Sequence, residues 1–260
     1  MEDDRYLPTM LSPKSVLITG SNRGIGLEFV RQFLKFADPP KYIFASCRLP
    51  EKASELTEIA KTSPCVHVIK LDVADHSSIK NAKAVVASVV EDNGINLLIN
   101  NAGTYRADAD IYNVSWEEMR RNFDVNAIGP LMISQTFLPL LKQAAGRKKD
   151  EVMSCNKAAI INISSDFGSI TENFGRLYPY RASKAAQNMI TSCLSIDLKA
   201  DGILCTAVHP GWVKTDMGGP NAKISTEESV SGVFAILRKL QGEEESGKYY
   251  DSTSGKVFGW

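Results

Sequence analysis

The sequence predicts an α/β protein, a single doubly wound domain whose mostly parallel sheet of six to seven strands is flanked by helices. Three observations predict it. Short β-branched runs alternate with longer stretches of helical periodicity along all 260 residues, which is the pattern of βαβ units. Several of the strand-like runs, such as SVLIT at 15–19 and AAIINIS at 158–164, are almost wholly apolar, as strands covered on both faces must be. A glycine-rich turn joins the first such run to the first helical one.

In chain order, strands are expected at 15–19, 42–46, 66–71, 96–100, 158–164 and 204–209, with a short seventh near 256–258. Helices are expected at 24–36, 77–92, 116–123, 127–145, 180–200 and 226–240, and a weaker one at 52–60. The stretch 146–157 (GRKKDEVMSCNK) is polar and aperiodic and reads as an exposed loop. No repeat, low-complexity tract or hinge divides the chain, so residues 1–260 read as one domain. The loops 166–179 and 216–225 follow strand ends, where open parallel sheets bind ligands, and should frame a substrate.

Composition narrows the partners. Thirty basic side chains balance thirty acidic ones, whereas nucleic acid and anionic membrane surfaces select an excess of Lys and Arg. A small ligand is the expectation, with no nucleic acid and no membrane. The five cysteines are odd in number and form no CxxC or Cys/His cluster, so no disulfide framework or metal site is indicated and a reducing compartment follows. The N-terminal Met1-Glu2-Asp3-Asp4 lacks the positive charge of a signal segment. The longest apolar runs fall far short of the ~18 residues that suggest a membrane span. The cytosol is the expected address.

The chemistry begins at Thr19-Gly20-Ser21-Asn22-Arg23-Gly24-Ile25-Gly26, between a strand and an amphipathic helix. Gly20 permits a tight turn, Gly24 lets backbone approach a pyrophosphate, and Gly26 permits close packing of helix on strand. The helix start supplies free N–H groups and about half a positive charge for phosphates. About 20 residues further on, a dinucleotide-binding protein that prefers NAD places an acid for the ribose 2′-hydroxyl. This chain reads Ser46-Cys47-Arg48 instead. With no acid to repel a 2′-phosphate and with Arg23 and Arg48 placed to grip one, NADP(H) is the expected cofactor.

Tyr180 and Lys184 stand four residues apart at the start of a predicted helix, hence on one face. A cation near the phenol is expected to lower its pKa from about 10 toward the working pH of a general acid. Ser164 and Ser165 close the fifth strand, where one hydroxyl could hold a substrate oxygen. Strand alternation sends the two hydroxyls to opposite faces.

Together these residues resemble the short-chain dehydrogenase/reductase family, in order, from about Ser15 to Trp260. The family's TGxxxGxG is matched by Thr19 to Gly26, its adenine-bordering Asp-Val by Asp72-Val73, and its NNAG by Asn100-Asn101-Ala102-Gly103. Its helix asparagine falls on Asn126, its serine on Ser165, its YxxxK on Tyr180 and Lys184, and its PG on Pro210-Gly211. The phosphate turn TGSNRGIGLEFV, the insertion at 146–157 and the GKVFGW ending further resemble the sniffer-type carbonyl reductases.

The resemblance implies a Rossmann domain and NADPH-dependent reduction of a small ketone or aldehyde. Tyr180 would donate the proton, Ser165 would share the developing oxyanion, and Lys184 would bind the nicotinamide ribose. Asn126 would hold the water that links Lys184 to solvent, while Val213 and Thr215 would fix the carboxamide. It also implies a homodimer in which the helices at 127–145 and 180–200 pack against their copies. Their apolar residues Leu131, Ile133, Phe137, Leu141, Met189, Ile190 and Leu194 fit either such an interface or a thicker core. Trp212, Phe167, Tyr178 and Met217 would make the substrate site apolar. His209, next to the PG motif, reads as a packed strand-end residue rather than a base. An NAD-linked alcohol dehydrogenase and a cofactor-binding regulator without turnover are the competing readings.

Overall fold

The computed structural model describes residues 10–105 and 110–260. Seven parallel strands form one sheet in the order β3-β2-β1-β4-β5-β6-β7. They are β1 (Ser15–Thr19), β2 (Tyr42–Cys47), β3 (Val66–Lys70), β4 (Leu97–Asn100), β5 (Ala159–Ile163), β6 (Leu204–His209) and β7 (Tyr249–Asp251). The chain starts in the middle, winds out to β3, then crosses back to β4. The crevice beyond the strand ends therefore opens where β1 and β4 part, the switch point at which such sheets bind ligands.

Seven α-helices cover the sheet: α1 (Gly24–Leu34), α2 (Ser54–Thr62), α3 (His76–Val90), α4 (Trp116–Phe123), α5 (Gly129–Arg147), α6 (Tyr178–Asp197) and α7 (Thr226–Lys239). Strand alternation splits the core in two. Val16 and Ile18 of β1 face a cluster built on Phe29 and Phe33 of α1, Leu56 of α2 and Phe234 of α7. Leu17, between them, faces Val86 of α3 and Phe137 of α5. Val16, Leu17 and Ile18 thus each remove about 1.5–3 kcal/mol worth of apolar surface from water, while the hydroxyls of Ser15 and Thr19 at the strand ends are hydrogen-bonded.

Three expectations need correction. The seventh strand is Tyr249–Asp251, paired with Ala207–His209, and not 256–258. Tyr249 is fully buried, whereas the chain turns at 251–255 and Val257 returns only as an isolated antiparallel bridge to Tyr250. The helices expected at 116–123 and 127–145 are one continuous helical stretch, joined by a π-helical turn, Asp124–Ile128. The helix expected from Tyr180 starts at Tyr178, with Pro179 in its first turn, a place where proline forfeits no helical hydrogen bond. Ile133, Phe137 and Leu141 of α5 are buried in the core, so the thicker core claims much of that helix's apolar excess.

Candidate active site

The glycine turn is shaped as its spacing predicted. Gly20 has φ +69°, and a Cβ on Gly26 would lie 2.2 Å from the Gly20 carbonyl oxygen, so that position admits no side chain. Ser21 is buried, with Oγ donating to the Ile18 carbonyl at 2.9 Å. Asn22 is exposed, and Ile25 packs against the core. No side chain caps α1, which leaves its first N–H groups free for an anion. Across the crevice, Thr19 Oγ1 accepts from the backbone N–H groups of Asn101 and Ala102, both at 3.0 Å. Asn101 Nδ2 donates to the Thr19 carbonyl at 2.8 Å. These bonds fix the separation of the β1 and β4 ends, and hence the width of the crevice.

Arg48 stands exposed just past β2. Arg23 is exposed as well, but it is already ion-paired with Asp216 in the loop after β6. That loop is internally tied. Thr215 Oγ1 donates to the Val213 carbonyl at 3.3 Å and accepts from Gly218 N at 3.1 Å, while Trp212 Nε1 donates to the Gly218 carbonyl. The Pro210 carbonyl accepts from Ser229, and Gly211, at φ +83°, turns the chain toward α7. Val73 is buried; Asp72 accepts from Ala74 N at 3.0 Å. Trp212, Met217 and Tyr178 are exposed, as residues awaiting a ligand or partner would be.

The opposite wall, between β5 and α6, is a buried polar cluster. Tyr180 and Ser165 are hydrogen-bonded through their side chains, and burial pushes the phenol up to about 12. Ser165 Oγ donates to Asp166 Oδ1 at 3.0 Å and accepts from Phe167 N at 3.2 Å. Ser164 faces away, bonded to Asn188 Oδ1 at 2.5 Å. Lys184 is buried, with Nζ donating to the Ile163 carbonyl at 2.7 Å and to Gln187 Oε1 at 2.9 Å. Burial pulls this amine down to about 7. The expected lowering of the phenol is therefore not seen. Lys184 lies 6.0 Å from the centre of the Tyr180 ring and is itself discharged by burial, so desolvation of the phenolate prevails.

Asn126 sits in the π-helical turn, where the widened helix aims its amide at the strand ends. Its Oδ1 accepts from Thr104 N at 2.8 Å, and its Nδ2 donates to the Thr104 carbonyl and to Ser183 Oγ. It reaches Ser183 rather than Lys184 directly. A Cβ on Gly103 would come within 3.4 Å of its oxygen. His209 Nδ1 accepts from Asp166 N at 3.0 Å, which supports the packed, structural reading of that histidine.

The sequence reasoning missed several neighbours. Tyr105 meets Tyr180 edge-on with ring centres 4.9 Å apart; Phe167, which the sequence did place near the substrate, meets it edge-on at 6.1 Å. Asp166 and Gln187 bind the hydroxyl and amine named above. Tyr105 lies two residues past the NNAG motif, and Asp166 directly follows Ser165; adjacency to a motif was the only available signal.

Residues 14–225 match the model of the short chain dehydrogenase family. The chain belongs to that family. An oxidoreductase of Schizosaccharomyces pombe, itself uncharacterized, is 32% identical over 93% of this chain and 96% of its own length. Among solved structures, an NADPH-bound carbonyl reductase from chicken fatty liver superimposes with TM-score 0.93 at 45% identity, covering 96% of each chain. The carbonyl reductase Sniffer of Drosophila melanogaster gives 0.92 at 38% identity, covering 95% of this chain and 100% of its own.

Proposed function

We propose that this protein is an NADPH-dependent carbonyl reductase, converting a small ketone or aldehyde to the alcohol with Tyr180 as general acid. The carrying observation is Tyr180 itself. A phenol held protonated to about 12, hydrogen-bonded to Ser165 and flanked by the rings of Tyr105 and Phe167, is a proton donor beside a second hydroxyl that can share a carbonyl oxygen. The chicken and fly structures support the assignment, because they share the architecture over nearly the whole chain.

The crevice fits a dinucleotide. The cradle at Gly20 and Gly26 would be filled by any added Cβ, and the uncapped start of α1 offers its amides. Gly20 to Gly26 would receive the pyrophosphate and Arg48 the 2′-phosphate, with Arg23 joining once it releases Asp216. Asp72 and Val73 would border the adenine. Asn101, Ala102 and Gly103 would line the middle, Tyr180 and Lys184 the ribose, and Pro210, Gly211, Val213 and Thr215 the carboxamide end. When bound, the nicotinamide supplies the hydride. Tyr180 gives its proton to the substrate oxygen as charge develops there, and Ser165 exchanges Asp166 for that oxygen and shares the charge. Asn126, bonded to Ser183 and Thr104, orients the helix turn from which Lys184 acts.

The test is consumption of NADPH and of NADH with a panel of aromatic and aliphatic carbonyls. Turnover with NADPH in clear excess supports the reading. Equal kcat/KM for both cofactors favours the NAD-linked alternative, and no turnover with any carbonyl favours the regulator. We further propose one domain, a cytosolic address and a homodimer through α5 and α6, where Met189 and Ile196 are exposed. Among the described residues no helix is long and apolar enough to cross a membrane, and the five cysteines are free. A monomer mass by light scattering at micromolar concentration rejects the dimer.

A further inference from the structure

The residue after Tyr180 has no part in the scheme above, yet it is the most anomalous side chain in the region. Arg181 is only 8% exposed. Its Nε and Nη2 are buried and have no hydrogen-bond partner, and Nη1 reaches the Phe167 carbonyl only at 3.5 Å. The guanidinium lies beside a T-shaped pair of rings, with its carbon 5.0 Å from the centre of Phe167 and 3.8 Å from that of Phe174. A ring attracts the cation by its π face but does not take the place of the hydrogen bonds that the guanidinium N–H edge can donate. Asp166 acts on it through space, but its Oδ1 is engaged by Ser165 and by Phe167 N. A buried cation with unpaired donors is costly unless an anion completes it.

Two further features show how an anion would reach it. Phe174, which covers the guanidinium, is 63% exposed. It sits in a stretch, 170–176, that is exposed throughout, next to Gly175, Arg176 and Leu177, all with positive φ. Two consecutive non-glycine residues in that region store local strain, and the exposed Phe174 ring has solvent on its outer side rather than a packed neighbour to hold it. Phe167 in turn touches both Arg181 and Tyr180, so the guanidinium stands one ring away from the proton donor.

We propose that Arg181 is a specificity-determining residue for an anionic substituent, and that the preferred substrates are carbonyl compounds bearing a carboxylate at about one aromatic ring's distance from the carbonyl, admitted when Phe174 moves. The carboxylate would take the free N–H edge in a charge-assisted, bidentate bond. This inference rests on the carbonyl reductase reading for its kinetic arm only.

The experiment has two arms. In the first, 4-carboxybenzaldehyde and methyl 4-formylbenzoate are compared with NADPH in the wild type, Arg181→Met and Phe174→Ala. The expected acid-to-ester ratio of kcat/KM is about tenfold or more in the wild type, the scale of a charged hydrogen bond. It falls to about one in Arg181→Met and stays above one in Phe174→Ala. A ratio internal to each variant cancels any general loss of activity. In the second arm, benzoate binding to the NADPH-mixed protein is measured by calorimetry, which needs no turnover. Saturable binding in the wild type that is lost in Arg181→Met supports the site even if neither aldehyde is reduced, in which case the carbonyl reductase reading alone fails. A wild-type ratio of one or less, or benzoate binding that is absent or indifferent to Arg181, overturns the inference, and Arg181 then serves only to hold the 170–176 stretch by stacking.

Discussion

At the β1–α1 wall of the crevice, the groups that face a ligand are backbone amides and exposed arginines. At the β5–α6 wall they are buried side chains: two hydroxyls, an amine and a guanidinium. The first wall needs little more than glycine at the right spacing, because the helix start provides the field and the backbone provides the donors. The second depends on which side chain each burial event discharges. Burial drives Tyr180 up and Lys184 down, so the phenol stays protonated and the ammonium is weakened where a pair read from spacing alone would be taken as phenolate and ammonium. One wall binds by geometry, while the other works by desolvation.

The sharpest way to break this contrast is Tyr180→Phe, which removes a hydroxyl and no ring. Carbonyl reduction should fall by about four orders of magnitude, combining loss of the general acid with loss of an oxyanion bond. NADPH binding, followed by fluorescence, should stay near normal because the other wall is intact. A variant that keeps a tenth of wild-type kcat removes Tyr180 from its role. Next in size, Ser165→Ala should cost on the order of a hundredfold in kcat, the scale of one oxyanion donor. Ser164→Ala, whose partner is Asn188, should act on stability instead; the reverse ranking in kcat would show that the wrong hydroxyl has been assigned.

On the phosphate wall the effects are smaller and fall on cofactor choice. Arg48→Asp should erase or reverse the NADPH preference, at about 1.5–3 kcal/mol per charge-assisted bond; an unchanged NADPH-to-NADH ratio of kcat/KM would take Arg48 out of the phosphate site. The desolvated wall also predicts a pH dependence of stability. Lys184 releases its proton near 7 in the folded protein and near 10.5 when unfolded. Between those values the unfolded chain binds more protons, so this group makes the cofactor-free protein more stable as pH rises from 7 toward 10. Urea denaturation should show that slope and lose it in Lys184→Met; equal slopes in both proteins would contradict the discharge of the amine. Last, Asp216→Ala should free Arg23 and tighten NADPH binding by a few-fold, in keeping with about 0.2–1 kcal/mol for an exposed ion pair. Titration showing weaker binding would mean that Asp216 organises the loop rather than competing for Arg23.

The same contrast explains what could be read beforehand. Six strands follow from short apolar runs, the glycine turn from its residue spacing, and the face shared by Tyr180 and Lys184 from the 3.6-residue period, all of them local properties of a chain. β7 was misplaced because Tyr249–Asp251 is defined by its pairing with β6, a partner about 40 residues away. The π turn Asp124–Ile128 left its mark only as an interruption between the helices read at 116–123 and 127–145, since the weak helix formers Asp124, Val125 and Asn126 suggest a break and not a widened turn. The direction of the Lys184 and Tyr180 shifts was illegible for a related reason. Spacing shows that two groups are near each other, but desolvation depends on everything packed around them, including Tyr105 and Phe167 from other segments.

The π turn also says something about how this protein could be lost or remade genetically. A π turn is an α-helix carrying one surplus residue. The surplus residue is absorbed within the widened turn, so deleting a single codon within 124–128 would restore unbroken α-helix with α4 and α5 close to their present faces, and the change would fall on the turn itself. Ile133, Phe137 and Leu141 would keep α5 anchored to the sheet, and what would be lost is the bulge from which Asn126 reaches Thr104 and Ser183. One in-frame deletion thus offers an evolutionary path from enzyme to inert binding protein with the sheet and the phosphate cradle left in place.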